Sequence, residues 1–237
     1  MNQKILWKIE ELWKKHYQAS SQGASVDISS YAINAVSNYY PKFHLVDTFS
    51  FKSSEKTVFR DAYGDYKGLE KQQLCLVDEK PIYLFDNHNE ILFPLVEMST
   101  INNQKYEIVH IDAHPDDAIF PEKKPTLLNI DTVKDFIPQT LISDFFDAVS
   151  ETNILGKVHR ITHSDSFEFF VVPEEPYLLS LDIDIFGPEG DFAEREDKIR
   201  AIAKAWSGAA AVCIATSPGF IDQEFARGII EVFMGNR

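Results

Sequence analysis

Cysteine is nearly missing from this chain: there are 2 in 237 residues. Cys75 in QQLCLV and Cys213 in AVCIAT both fall in apolar, strand-like runs, and they read as reduced core residues of a cytoplasmic protein. Long hydrophobic runs are missing too. No segment approaches the ~20 apolar residues of a membrane span, and the opening MNQKILWKIEELWKKHYQ has no uninterrupted apolar stretch to serve as a signal peptide. Basic residues are in deficit, with 23 Lys and Arg against 37 Asp and Glu and a net charge of −14. Clustered Lys and Arg are absent, which argues against nucleic acid as a partner, and an acidic surface suits cationic ligands better. There is no internal repeat and no low-complexity linker.

What is present is enough for a real core: 44% of residues are hydrophobic and 13% aromatic, in a length that fits a single domain over 1 to 237. Ile5, Ile9, Leu12 and Trp13 recur along one face of an opening amphipathic helix. A Ser/Gln/Gly break follows, then a second helix around YAINAVSNYY and short strands through TVFRDAYGDY. Tyr39, Tyr40 and Phe43 read as packing residues, and residues 1 to 80 carry no evident chemistry.

From Pro81 the texture changes to alternating elements over 81 to 237. IYLFD reads as a strand, NEILFPLVEMS as a helix and YEIVHID as a strand, before a helical stretch from Asp131 to Ser150 interrupted at Pro138. GKVHRITH, FEFFVV and YLLSLDID read as strands, EREDKIRAIAKAW as a helix, AAAVCIAT as a strand and DQEFARGIIEVFM as a last helix. Such alternation predicts an α/β fold, a mostly parallel sheet with helices on both faces. Ligands of such sheets bind beyond the carboxyl ends of the strands. Three strand ends bring charge there: Asp86 and His88, then Asp112, His114 and Asp116, then Asp182 and Asp184.

Asp112 and His114 are two residues apart, as are Asp182 and Asp184, so in extended backbone each pair points one way. Aspartates and histidines crowded in a crevice repel one another and lose solvation unless cations are present. A donor set rich in carboxylate, with imidazole and no thiolate, favours Mn²⁺, with Fe²⁺, Co²⁺ or Zn²⁺ as substitutes. Six such ligands fit two ions about 3.5 Å apart. Taken singly, DIDIF is also an ordinary helix-capping strand end and DAHPDD an acidic loop, but the two in order with His88 upstream make a metal site the better reading.

DAHPD resembles the Asp-x-His-x-Asp motif of the arginase and agmatinase ureohydrolases, and LDIDIFGP resembles their Asp-x-Asp motif before a Pro-containing turn. The resemblance implies a binuclear manganese site on His88, Asp112, His114, Asp116, Asp182 and Asp184, with Asp116 also orienting a metal-bridging hydroxide that attacks a guanidinium carbon and releases urea. LFDNHNEIL departs from the Gly-Gly-Asp-His-Ser of typical arginases. That departure, the small size and CIATSPGF are more similar to the branch containing peptide arginases, which convert arginine to ornithine within peptides. The similarity covers roughly residues 82 to 224.

Arginases carry a proton-donating histidine shortly after the first motif, and here 117 to 152 contains none. His163 in ITHSDS is the candidate in its place, with His110 next, although His110 also reads as a core or supporting histidine. A guanidinium needs a carboxylate outside the metal ligands. Glu90 and Glu224 are candidates, with Asp117 and Asp86 as further options. His16, His44 and His159 read as structural. The expected partner is an arginine-containing peptide, because the short chain has little room for loops that clamp a free amino acid. Competing readings are a deacetylase-type amidohydrolase with one zinc, an arginase or agmatinase for a free guanidino substrate, and a non-catalytic protein keeping an inherited metal site.

Overall fold

The computed structural model describes residues 2–17, 43–61 and 63–235. The helix expected around YAINAVSNYY, with Tyr39 and Tyr40, lies outside the described residues. In chain order the elements are α1 (Asn2–Tyr17), β1 (His44–Val46), β2 (Ser53–Arg60), β3 (Asp65–Leu69), β4 (Gln73–Val77), β5 (Lys80–Phe85), α2 (Leu92–Asn102), β6 (Tyr106–Ile111) and α3 (Ile130–Phe136). They continue with α4 (Phe145–Ala148), β7 (Leu155–Ile161), α5 (Ser164–Glu168), β8 (Tyr177–Asp182), α6 (Arg195–Gly208), β9 (Ala211–Ala215) and α7 (Gln223–Gly235).

Among the described residues, one seven-stranded sheet runs in the order β1-β4-β5-β9-β8-β6-β7, and β2 pairs with β3 as a separate antiparallel ribbon. The block from β5 to β7 is parallel throughout, whereas β4 joins β5 antiparallel and β1 follows β4 in parallel. The fold is thus α/β with a mostly parallel sheet, as the alternation predicts. Pro81 is no boundary in it, because β1 and β4 from upstream complete the sheet. The β4–β5 reversal uses two residues, Asp78 (φ 49°) and Glu79 (φ 67°). Both are left-handed, the geometry that matches the twist of paired strands.

Strand alternation supplies two cores. Val109, Ile111, Leu179, Leu181, Val212 and Ile214 face α1, α6 and α7, while Ile108, Leu178, Cys213 and Ala215 face α2, α3 and α4. The opening helix behaves as its spacing predicts: Ile5 and Ile9 are buried, and Leu12 and Trp13 are packed against the first core. Cys75 and Cys213 are buried and unbridged. Phe43 packs edge-on to Tyr83 at 5.1 Å. No helix among the described residues is long and apolar enough to cross a membrane.

Two expectations fail. FEFFVV is not a strand: Ser164–Glu168 is a helical turn followed by irregular chain. Phe167 and Phe170 are buried while Phe169 is exposed, which is helical spacing rather than alternation. Ser166 fixes the turn, its hydroxyl accepting from His163 N at 3.1 Å and donating to His163 O at 2.5 Å. The stretch from Asp131 to Ser150 does break at Pro138, but beyond a 3₁₀ turn only the single turn of α4 resumes.

The β2–β3 ribbon sits on the carboxyl edge of the parallel block. Asn87 Nδ2 donates to Val58 O at 2.9 Å, Leu69 N donates to the Asp86 carboxylate at 3.0 and 3.1 Å, and Phe59 packs against Phe220 with centroids 5.2 Å apart. A Cβ at Gly68 would overlap Asp86, and one at Gly219 would overlap Phe59, so glycine permits both approaches. Phe59→Ala is expected to lower hydrogen-exchange protection across 53–69 while β6, β8 and β9 stay protected. Equal loss in those central strands would show that the ribbon is not a separable cover.

Candidate metal centre

β5, β6 and β8 end on one edge of the sheet, and the charged residues follow immediately after or at those ends. The pairs converge by a different route from extended backbone. β6 stops at Ile111, and Asp112 Oδ1 then accepts a hydrogen bond from His114 N at 2.7 Å. β8 stops at Asp182, whose Oδ1 accepts from Asp184 N at 2.9 Å as the chain enters a 3₁₀ turn. Each Asp-x-[His/Asp] unit is thus a turn in which the first aspartate bonds the backbone two residues on. One oxygen of each first aspartate shapes the turn, and the other faces the neighbouring strand ends.

Ligand atoms of His88, His110, Asp112 and Asp116 lie within 4.8 Å of one another, and so do those of Asp112, His114 and Asp184. Asp112 belongs to both groups. His88 Nδ1 stands 2.7 Å from Asp112 Oδ2 and 3.4 Å from both Asp116 Oδ2 and Asp182 Oδ2, while its Nε2 is 2.6 Å from Ser180 Oγ. His114 Nδ1 stands 3.1 Å from Asp184 Oδ2 and 3.3 Å from Asp112 Oδ1, while its Nε2 is 2.5 Å from Glu189 Oε2. Both imidazoles therefore aim Nδ1 into the cluster and anchor Nε2 outside it, the arrangement that fixes a metal-binding tautomer. Five of the six expected ligands fall in these groups. Asp182 lies beside them, one oxygen committed to the Asp184 turn and the other accepting the Ser217 hydroxyl.

These carboxylates are almost fully buried, with exposures of 1% for Asp112 and Asp184, 4% for Asp182 and 7% for Asp116. Burial, then the charge of Asp112, pushes Asp116 up to about 7. Burial with Asp184 and Asp112 alongside pushes Asp182 well above the carboxylate range, and burial with Asp112 raises Asp184. Asp112 goes the other way: burial opposes its charge, but hydrogen bonds from His114 and His88 hold it well below its ordinary value. Burial disfavours protonated His88 and His114, yet the facing aspartates raise both. Asp116 Oδ2 and Asp184 Oδ2 carry no hydrogen bond despite their burial. Unsatisfied buried oxygens opposite imidazole nitrogens fit one or two divalent cations better than they fit an apolar interior.

The cluster floors a pocket of about 260 Å³. Asp117, Glu189, Ile142, Ser217 and Phe220 are among its walls, and no Lys or Arg among the described residues lines it. Phe220 packs on His114 at 5.2 Å, continuing the Phe59–Phe220 contact of the ribbon.

The structure places several of the predicted residues away from the pocket. His163 is exposed at the start of α5, touches Thr162 and lies outside the pocket lining, since β7 delivers it to the surface. Glu224 is exposed on the first turn of α7. Glu90 is buried and caps its own turn, accepting from Asn87 N at 3.2 Å, without reaching the pocket lining. Asp86 is fully buried and accepts from Leu69 N and Thr216 Oγ1, so it anchors the ribbon. Of the proposed guanidinium partners only Asp117 lines the pocket. Glu189 was missed; its one local signal is its place in the Gly187-Pro188 turn after the Asp-x-Asp unit. His110 is fully buried between the rings of His88 and Phe146. His159 pairs with Glu107 at 2.6 Å and His16 with Asp222 at 3.2 Å, both away from the pocket, and His44 opens β1.

No protein-family model, curated protein or solved structure matches this chain.

Raised pKa values at Asp116, Asp182 and Asp184 mean that the cation-free fold binds protons which the unfolded chain, with carboxylates near 4, releases. That stability is fully present below about pH 4 and is lost as pH rises, through about 7 for Asp116. Chelated protein is therefore expected to melt at progressively lower temperature over this window, with Mn²⁺ restoring the midpoint above it. A melting temperature unmoved by both pH and Mn²⁺ would reject the site as a cation centre.

Proposed function

We propose that this chain is a binuclear-metal hydrolase of the ureohydrolase type, removing the amidine group of an arginine side chain within a peptide to leave ornithine and release urea. The observation that carries the reading is Asp112, a single buried carboxylate common to two groups of ligand atoms at the floor of a pocket. Two Mn²⁺ ions suit this oxygen-rich and imidazole donor set, and other divalent ions suit it in their place. Bound there, such ions supply a nucleophile at neutral pH and positive charge against the charge developing on the reacting carbon.

The chain's own residues do the remainder. His88, Asp112, Asp116 and Asp182 would hold one ion, and Asp112, His114, Asp182 and Asp184 the other. Asp116 lines the pocket with an oxygen that carries no hydrogen bond, which suits it to hold an ion and to orient the attacking water, whose proton passes on to the leaving side-chain nitrogen. The carbon–nitrogen bond to the side chain breaks, the nitrogen becomes a primary amine, and the amidine carbon leaves as urea. Asp117 and Glu189 on the pocket wall take over the guanidinium-binding role expected of Glu90 and Glu224.

Among the described residues the pocket has no Lys or Arg to pair with the α-carboxylate of free arginine. That favours a residue whose carboxyl is tied up in a peptide bond, and the chain's net charge of −14 favours a basic peptide. Buried, unbridged Cys75 and Cys213 support a cytoplasmic setting.

Mn²⁺-loaded protein offered an arginine-containing peptide should release urea and leave a peptide lighter by about 42 Da per arginine, the amidine replaced by hydrogen. Urea from free arginine or agmatine alone would move the substrate to a small molecule. Absence of urea from all three, with release of acid from acylated amines, would turn the assignment to deacetylase chemistry. Asp112→Ala should abolish binding of both ions and all turnover; two ions retained in that variant would remove the shared-ligand assignment. Asp117→Asn should raise KM for the peptide while both ions stay bound, and an unchanged KM would leave guanidinium recognition to Glu189.

A further inference from the structure

We propose that His110 and Arg160 form a clamp on the loop that presents Asp116, and that this clamp sets the affinity of one of the two cation positions although neither residue is a ligand. The inference rests on the cation-binding reading of the site, though not on its hydrolase activity.

His110 and Arg160 face each other across the parallel β6–β7 pair. Between them they take three successive backbone carbonyls. His110 Nε2 lies 3.2 Å from His114 O, Arg160 Nε donates to Pro115 O at 2.7 Å, and Arg160 Nη2 donates to Asp116 O at 3.4 Å. Both side chains lean on Phe146, whose ring meets His110 edge-on at 5.1 Å and has the Arg160 guanidinium 5.8 Å from its centroid.

The clamped segment has a reason to need holding. Asp116 has φ of 44°, a left-handed backbone that residues with a Cβ adopt uncommonly and that its surroundings must hold in place. This conformation turns the carboxylate back under the sheet edge, where Oδ2 faces His88 Nδ1 at 3.4 Å. Its neighbours Pro115 and Asp117 are both exposed, so Asp116 alone of the three is turned inward. A guanidinium fork holds two carbonyls in one fixed planar geometry, which the freely rotating ammonium of a lysine does not impose.

The clamp also assigns His110. A ring nitrogen that donates its proton to a carbonyl has no lone pair for a cation, so His110 stands beside the ligands and leaves the first position to His88, Asp112, Asp116 and Asp182. The second position, with His114 and Asp184, takes nothing from Asp116.

Calorimetric titration of chelated protein with Mn²⁺ tests this, with thermal unfolding of the cation-free variants alongside. The parent chain should bind two ions. Arg160→Met should weaken one of them by about 10- to 100-fold and leave the other unchanged, and Arg160→Lys should fall in the same direction. His110→Asn keeps an N–H donor and should retain both ions. Two ions bound by Arg160→Met with parental affinity would overturn the clamp. So would equal weakening of both ions together with a lower cation-free melting point, which would reduce Arg160 to general packing. Loss of one ion in His110→Asn would overturn it by making His110 a ligand. A parent chain that binds no divalent cation would overturn the reading of the site itself, and the clamp with it.

Discussion

The carboxyl edge of this sheet is governed by the cost of keeping Asp112, Asp116, Asp182 and Asp184 out of water. Removing an ionised carboxylate from water costs several kcal/mol even after relaxation, and four stand within reach of two protonatable imidazoles, His88 and His114. Those imidazoles stabilise mainly Asp112, whose acidity is strengthened while that of the other three is weakened. A fold that only had to be stable would place apolar side chains here, as it does one residue inward at Ile111 and Leu181. Keeping the aspartates makes sense when positive charge arrives from outside the chain.

That demand explains otherwise unrelated details. The Asp112 and Asp182 turns each use one carboxylate oxygen to bend the backbone, so a single aspartate both shapes its turn and points its other oxygen at the cluster. The β2–β3 ribbon closes one side of the site through Asp86, Asn87 and the Phe59–Phe220 contact. Closure excludes water, which strengthens every charge interaction inside. The ribbon lines none of the pocket itself and backs its wall through the Phe59–Phe220 contact. Asp86 is part of that closure: a charge at a strand end serves as an anchor as well as a ligand would.

Much of this was legible because it is local. The amphipathic spacing of Ile5 and Ile9, the strand-to-helix alternation after Pro81, and the clusters at 112–116 and 182–184 each need only a few neighbouring residues to be seen. The losses come where a role depends on a distant partner. Glu189 matters through His114, 75 positions away, and Asp86 is committed by a backbone N–H 17 positions upstream. Phe167 and Phe170 looked like strand residues because a short aromatic run carries no length from which to separate periods of two and 3.6. His163 sat at a strand end, as the ligands do, but β7 is the outermost strand, and an edge strand delivers its terminus to the surface.

Charge also bears on which substrates the pocket admits. Without cations the floor is strongly negative. Two divalent ions would balance the four buried aspartates, leaving Asp117, and Glu189 beside its His114 partner, as the acids of a wall on which no described Lys or Arg stands. Under the proposed function, cation loading would then do more than prepare the chemistry. It would change the pocket from one that attracts any cation, free metal included, to one whose remaining attraction lies at its sides, where a planar guanidinium donates edge-on to carboxylate oxygens. A carboxylate entering the same space would meet both side-wall acids with no counter-charge. Selection of an arginine side chain over a free amino acid would then follow from the absence of one basic residue as much as from the presence of two acidic ones.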